Sequence, residues 1–191
     1  MLIPTVIQIT SILAGAHTAN AMTEIDKGLF RQVMGRFATG VTVITTMVGD
    51  ETFGMTANAF MAGSLEPPLC VVSVSRSALL HDLLHESKRY GVSILNQEQQ
   101  YLSNHFSGRR LPGVEPRFMA RRGVPVVRSA VAVITAEVVE TAACGDHTLF
   151  IGAIDFMEVA GALPPILFYG GNYARLDRDA PIEEVEPPLF W

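Results

Sequence analysis

From Ala130 to Val159 the chain reads as two long strands and the turn between them. Val131, Val133, Thr135, Glu137 and Val139 fall at every second position, the period of a pleated strand rather than a helix. Cys144-Gly145-Asp146 then offers a turn, and Thr148 to Val159 is again rich in apolar residues. The same grammar recurs earlier. Val41–Val48 is β-branched and Gly49-Asp50-Glu51 turns it into Thr52–Phe60, while Leu69–Val74 and Tyr90–Leu95 are short apolar runs. Pro164-Pro165 leads into a further strand, Ile166–Tyr169. With Ala130–Thr141 and Thr148–Val159 as the long pair, this pattern predicts a mainly β fold: a six-stranded antiparallel barrel with flanking helices.

Three helices are expected around those strands. Ile25, Leu29, Val33 and Phe37 fall four apart and make one apolar stripe, preceded by Thr23-Glu24-Ile25-Asp26, a capping box with Asp in place of Glu. Ser77 is the expected cap of a second helix that turns Leu79, Leu80, Leu83 and Leu84 inward, and Gln97 to Phe106 forms a third. Ser107 to Arg122 holds two prolines, two glycines and five arginines and reads as a loop.

At 191 residues the chain is long enough for one domain with its own core. We assign that domain to residues 23–176, with an N-terminal extension over 1–22 and an acidic tail over 177–191. Leu2 to Ala16 is apolar, but no Lys or Arg precedes Lys27 and Pro4, Gln8, Thr10 and Ser11 interrupt the run. It therefore makes a poor secretory signal and a poor membrane span. A start codon set too far upstream is the reading adopted, with an amphipathic anchor as the alternative. No stable membrane association is expected.

The net charge of -5 argues against a nucleic-acid partner, whose phosphates call for a basic face. A hydrophobic fraction of 49% against 17% charged residues suggests that a second subunit covers apolar surface. Cys70 in an apolar strand and Cys144 in a turn form no disulfide framework, which suits a reducing, cytoplasmic setting.

The segment Gly54 to Leu69 carries the clearest chemical signal. Thr56, Asn58 and Ser64 bring neutral hydrogen-bonding groups, and Gly54, Ala57, Ala59, Ala62 and Gly63 keep the backbone approachable, without a single cation. Two readings fit these residues: a Gly/Ala-rich strand pair with a polar turn, or a cradle for a planar ligand held by directed hydrogen bonds. His81 and His85, four apart, have a metal-compatible spacing but no evident third ligand, so no metal site is assigned. No GxGxxG after a strand, phosphate loop or GxSxG is present.

Gly54–Leu69, together with Phe30–Thr46, Ser73-Val74-Ser75, Asn96, Phe106-Ser107-Gly108, Gly145-Asp146-His147 and Leu167–Tyr173, resembles the flavin reductase family of FMN-binding split-barrel proteins. That family includes the reductase components of two-component flavin monooxygenases. The resemblance runs from about Gly28 to Leu176 and implies a split barrel that passes a hydride from NADH or NADPH to FMN or FAD. It implies a homodimer with flavin sites near the subunit interface and a partner monooxygenase that receives the reduced flavin.

Residue by residue, the resemblance places backbone groups of Phe53, Gly54, Met55 and Thr56 at the isoalloxazine edge. It places Asn58, Ala59, Ser64, Ser73, Val74 and Ser75 along the ribityl chain and phosphate, with Ser77 adding a helix N-terminus. Phe106 and Ser107 belong to the same cradle, with Arg109 and Arg110 as weaker candidates. His147 falls beside the nicotinamide, and Tyr169 and Tyr173 shape that side of the cleft. Family members often carry a basic residue where this chain has Gly170. The alternatives are a non-catalytic flavin- or haem-binding split barrel, and a reductase that keeps its flavin and acts on its own organic substrate.

Overall fold

A computed structural model of the chain describes residues 25–109, 111–159 and 163–177. The expected extension over 1–22, Thr23-Glu24 of the expected cap, Arg110 and the tail beyond Asp177 lie outside the described residues. The elements in chain order are α1 (Lys27–Met34), β1 (Thr39–Gly40), β2 (Thr42–Val48), β3 (Glu51–Ala57), β4 (Phe60–Leu65) and β5 (Pro68–Ser75). Then come α2 (Leu79–Ser87), β6 (Arg89–Ile94), α3 (Gln100–Phe106), β7 (Phe118–Arg121), β8 (Val124–Val127), β9 (Ala132–Cys144), β10 (His147–Val159), β11 (Ile166–Tyr169) and β12 (Asn172–Arg175).

The fold is mainly β, as the alternation implies, but the strand count differs from six. One antiparallel sheet runs in the order β3-β2-β6-β9-β10-β5-β4, a second in the order β1-β11-β12, and β7 pairs with β8. The seventh strand of the large sheet arises because Asn58-Ala59 interrupts the expected Thr52–Phe60 run. The backbone breaks there, and Phe60–Leu65 pairs with β5 instead. No ladder joins β3 to β4 among the described residues, yet those two edge strands are connected by only two residues. The sheet therefore curls so that β3 and β4 approach at this corner, and Ser73 N–H donates to Ala59 O at 3.0 Å, one residue beyond the Phe60–Val72 pair of the β4–β5 ladder.

The curl encloses the main core. Ile44 (β2), Val72 and Val74 (β5), Tyr90 and Val92 (β6), Ala136 (β9), Phe150 (β10) and Leu84 (α2) are all fully buried in one cluster. Burying large side chains of this kind contributes roughly 1.5–3 kcal/mol each. Tyr90 lies at the centre of this core. Its hydroxyl lies 3.3 Å from Cys70 Sγ, and its ring edge passes so close to Gly152 that a Cβ there would sit 2.3 Å from the oxygen.

The Ser107–Arg122 segment is not all loop. Phe118–Arg121 forms β7, which pairs with the apolar run Val124–Val127 across Arg122 and Gly123, both at positive φ. The four residues of β8 are buried, and they pack over β2 and β6. Arginine content hid this hairpin, yet Arg121 is used structurally: it pairs with Glu158 at 2.9 Å and lies 5.6 Å over the Phe156 ring.

Two expected caps also move. Helix α1 starts at Lys27 with Asp26 as its N-cap, the carboxylate accepting from Leu29 N–H at 2.7 Å. The N-cap of α2 is Ala78, which has no side chain to offer, and Ser77 Oγ is instead 2.9 Å from Ser75 Oγ. The Ile25, Leu29, Val33, Phe37 stripe is helical over α1 but stays open toward the rest of the described residues, since no residue of α1 is buried. Both cysteines are free thiols, Cys70 buried and Cys144 exposed. No helix among the described residues is long and apolar enough to cross a membrane.

Candidate functional site

Register decides which of the expected residues meet. In the β5–β10 pair, His147 lies opposite Ser75 and Leu149 opposite Ser73. Residues directly opposite in an antiparallel pair share a face, so Ser73, Ser75 and His147 present to one side of the sheet. Their neighbours Val72, Val74, Thr148 and Phe150 point the other way into the core and are buried. Val74 therefore offers a ligand only its backbone, because its side chain is wholly enclosed.

His147 sits at the mouth of this face. The two-residue turn Gly145-Asp146, with Gly145 at φ 60°, joins Cys144 to His147. Asp146 Oδ1 lies 2.7 Å from His147 Nδ1, while the imidazole remains 41% exposed. The hydrogen bond from His147, and then the imidazole's charge, hold the Asp146 carboxyl below the usual carboxylate range. This contact assigns the proton to Nδ1 and leaves Nε2 free to meet a ligand. Asp146 is the partner that the sequence reading passed over; its place beside His147 in the turn was the available signal.

Along β3 the side chains alternate between two packing jobs. Phe53 and Met55 pack against the main core. Gly54 and Thr56 face α3 instead: Thr56 Oγ1 donates to Ser103 O at 2.7 Å, and a Cβ on Gly54 would meet the Phe106 ring at 2.9 Å. Gly54 is thus required by Phe106 rather than by a ligand lying on it, and Phe106 in turn packs among Val41, Val43 and Leu102. What β3 has to offer is its edge, because it is the last strand of its sheet and half of its backbone groups point outward.

Asn58 and Ala59 form the seam and both are exposed; the Asn58 amide makes no hydrogen bond within the described residues. They lie next to Ser73 through the Ala59 carbonyl. Ser64 is not part of this group. It pairs with Leu69 at the other end of the β4–β5 hairpin, beyond a bulge at Gly63. Six strand residues separate that level from Ser75, about 20 Å along the sheet.

Ser107 ends α3, its hydroxyl donating to Asn104 O at 2.9 Å, and Arg109 is exposed. Tyr173 reaches the same helix, its hydroxyl 2.8 Å from Ser103 Oγ and 3.2 Å from Asn104 Oδ1. Tyr169 is more open and accepts a 3.4 Å hydrogen bond from Arg36. Gly170 and Gly171, at φ 58° and 82°, make the tight turn between these tyrosines, so the departure at 170 serves a backbone that strongly favours glycine. Ser103 and Asn104, which gather Thr56 and Tyr173, carried no signal in the sequence. The His81 and His85 rings meet each other edge-on at 4.8 Å and lie 5.7 and 4.9 Å from the Phe150 ring, and among the described residues no third ligand joins them.

Residues 34–177 match the model of the flavin reductase like domain. An NADH-dependent flavin reductase of Rhodococcus sp is 40% identical over 157 residues, spanning 79% of this chain and 89% of that protein. The reductase component of 4-hydroxyphenylacetate 3-monooxygenase from Thermus thermophilus is 36% identical, over 78% of this chain and 97% of its own. Among solved structures, flavin reductase PheA2 in its native state superposes with a TM-score of 0.79 at 44% identity, covering 81% of this chain and all of that one. By the span of that match and the identity to these relatives, the chain belongs to the flavin reductase-like family.

Proposed function

We propose that this protein is an NADH-dependent flavin reductase that transfers a hydride from nicotinamide to FMN or FAD and supplies reduced flavin to a separate monooxygenase. The observation that carries the reading is the gathering of Ser73, Ser75 and an Asp146-paired His147 on one half-buried sheet face, beside the free Asn58 amide. These groups suit flavin and nicotinamide. They are neutral donors and acceptors spread along a strand edge, matched to a ribityl chain, ring edges and a carboxamide. The bound flavin supplies the electron-accepting ring. The protein's part is to hold two rings face to face, since hydride transfer between them needs no protein nucleophile.

Within this reading, His147 Nε2 meets the nicotinamide carboxamide or the flavin edge. Asn58, Ser73 and Ser75 meet the ribityl chain and phosphate, and the outer edge of β3 meets the isoalloxazine. Curling of the large sheet around one core, with β3 and β4 joined through Asn58-Ala59, supports a split-barrel description. The functional unit is a homodimer: Ile25, Leu29, Phe30, Val33, Met34 and Phe37 are all more than half exposed on or beside α1. An eight-residue helix is marginal in water without packing, so this face calls for a second copy.

NADH oxidation followed at 340 nm, with FMN and FAD in turn, tests the activity. Turnover that depends on added flavin supports it; absence of oxidation with either flavin favours a non-catalytic flavin-binding protein. A flavin that stays bound through gel filtration would favour a reductase with its own organic substrate.

A further inference from the structure

The segment that leaves β5 grips the strand carrying His147 at two points, one on each side of it. Arg76 N–H donates to Asp146 O at 3.0 Å. One turn into α2, His81 Nε2 lies 3.0 Å from Thr148 Oγ1. Thr148 is 7% exposed and points into the core side of the sheet, so His81 holds the strand from the face opposite to His147. His81 is itself held on three sides. Its Nδ1 is 2.8 Å from Asp82 Oδ1, and the His85 and Phe150 rings lie 4.8 and 5.7 Å away, both edge-on. With Nδ1–H donating to Asp82, Nε2 is left as acceptor for the Thr148 hydroxyl.

We infer that His81 is a positioning residue for His147, acting through the Thr148 hydroxyl to fix the height and direction at which the imidazole leaves the sheet. It touches neither flavin nor nicotinamide. The inference rests on the flavin reductase reading, in which His147 meets the nicotinamide side of the site. Its physical basis is leverage. His147 is the first residue of a strand whose backbone is paired with Ser75 on one side and Cys144 on the other, so its side-chain direction follows the pleat of that strand end, and a polar hold on the adjacent residue from the core face steadies that pleat. Reaction geometry is sensitive to displacements of this size: a 1 Å shift imposed from a distance can cost about a hundredfold in rate.

The experiment compares His81→Phe, His81→Gln, Thr148→Val, His147→Ala and the double variant His81→Phe/His147→Ala by stopped-flow reduction of pre-bound flavin with NADH. Flavin affinity and thermal unfolding are measured on each. Phenylalanine keeps an aromatic ring against Phe150 and removes the polar atom, whereas glutamine carries an amide to the Nε2 position. His81→Phe and Thr148→Val are expected to slow reduction or weaken NADH binding about five- to tenfold, the loss of one hydrogen bond's orientation, with flavin affinity unchanged. His81→Gln is expected to restore most of the loss. In the His147→Ala background His81→Phe should cost nothing more, because its effect passes through the missing imidazole.

Full kinetics in His81→Phe and Thr148→Val overturn the inference. So does a loss of equal size in the presence and absence of His147, or a loss that follows the unfolding temperature and is not recovered by glutamine. If His147→Ala itself reduces flavin normally, the role of His147 falls first and this inference with it. If NADH is not oxidised by the parent protein, the flavin reductase reading is what fails.

Discussion

At the scale of single residues, the segment that looked uniform in the sequence divides into two jobs. Thr56 spends its hydroxyl on Ser103 O, while the Asn58 amide has no partner within the described chain. Replacing each with leucine should therefore give opposite results. Thr56→Leu should lower stability by about 1–3 kcal/mol, since Ser103 O loses one of its two donors, keeping only Ser107 N–H, and a larger side chain must fit against α3. Asn58→Leu should leave the unfolding temperature nearly unchanged and weaken flavin binding. Denaturation curves and flavin titrations on both variants check this, and the reverse pattern would make Asn58 structural. His147→Ala should slow hydride transfer roughly 5- to 150-fold, the range for a lost hydrogen bond of about 1–3 kcal/mol. Flavin affinity should hold, because in the proposed site the flavin rests on Asn58 and the β3 edge. Stopped-flow reduction with pre-bound flavin measures the first, and fluorescence titration the second.

Elements were legible in the sequence where period and turn chemistry agreed, and hidden where they did not. The β9–β10 hairpin announced itself through alternation and Gly145, and its register is what sets His147 opposite Ser75. The two-residue break at Asn58-Ala59 was not legible as a strand boundary, because small residues on both sides fit a continuous strand equally well. The β7–β8 hairpin was masked by arginines that read as solvated, although one of them, Arg121, sets its guanidinium over the Phe156 ring. No local pattern announced that Phe106 would cover Gly54, because that contact depends on how α3 folds back over the β3 edge. The same hairpin gives an element-scale prediction. Strand β8 crosses β6 so closely that a Cβ on Gly91 would sit 2.8 Å from both Pro125 O and Thr45 Oγ1, two atoms that are hydrogen-bonded to each other. Gly91→Ala cannot be absorbed by a flexible side chain, so it should cost about 1–3 kcal/mol or more. Thermal unfolding should show a drop of several degrees, whereas the same change at Gly49, with open space around it but a φ of 59°, should cost only the smaller penalty of backbone strain. Equal losses at the two sites would mean that the β8 crossing is looser than drawn.

For the whole molecule, the unspent feature is the apolar surface. The curled sheet hides its core well, yet six large apolar side chains on or beside α1 stay more than half exposed, and Met61 and Leu65 on the edge strand β4 are exposed as well. Such a surface is unusual on a free monomer of this size. Helix α1 is tied to the rest of its chain chiefly at its end, where Gly170 N–H donates to Gly35 O at 2.8 Å and Arg36 reaches Tyr169. A second copy packed on α1 would therefore press on the Tyr169–Tyr173 hairpin, whose Tyr173 hydroxyl is bound to Ser103 and Asn104 beside β3. In the proposed dimer, that route would link assembly to the site. Light scattering at micromolar concentration should give twice the 20.7 kDa chain mass. Leu29→Glu with Val33→Glu puts two like charges on the apolar face four residues apart, which disfavours burial against a partner and also weakens α1 by a few tenths of a kcal/mol, leaving the strands' core untouched. That variant should run as a monomer, keep a cooperative unfolding transition and bind flavin more weakly, because the β11–β12 hairpin loses its support. A parent protein of monomeric mass would reject the dimer outright. A monomeric variant with full flavin affinity would keep the dimer and sever its link to the site.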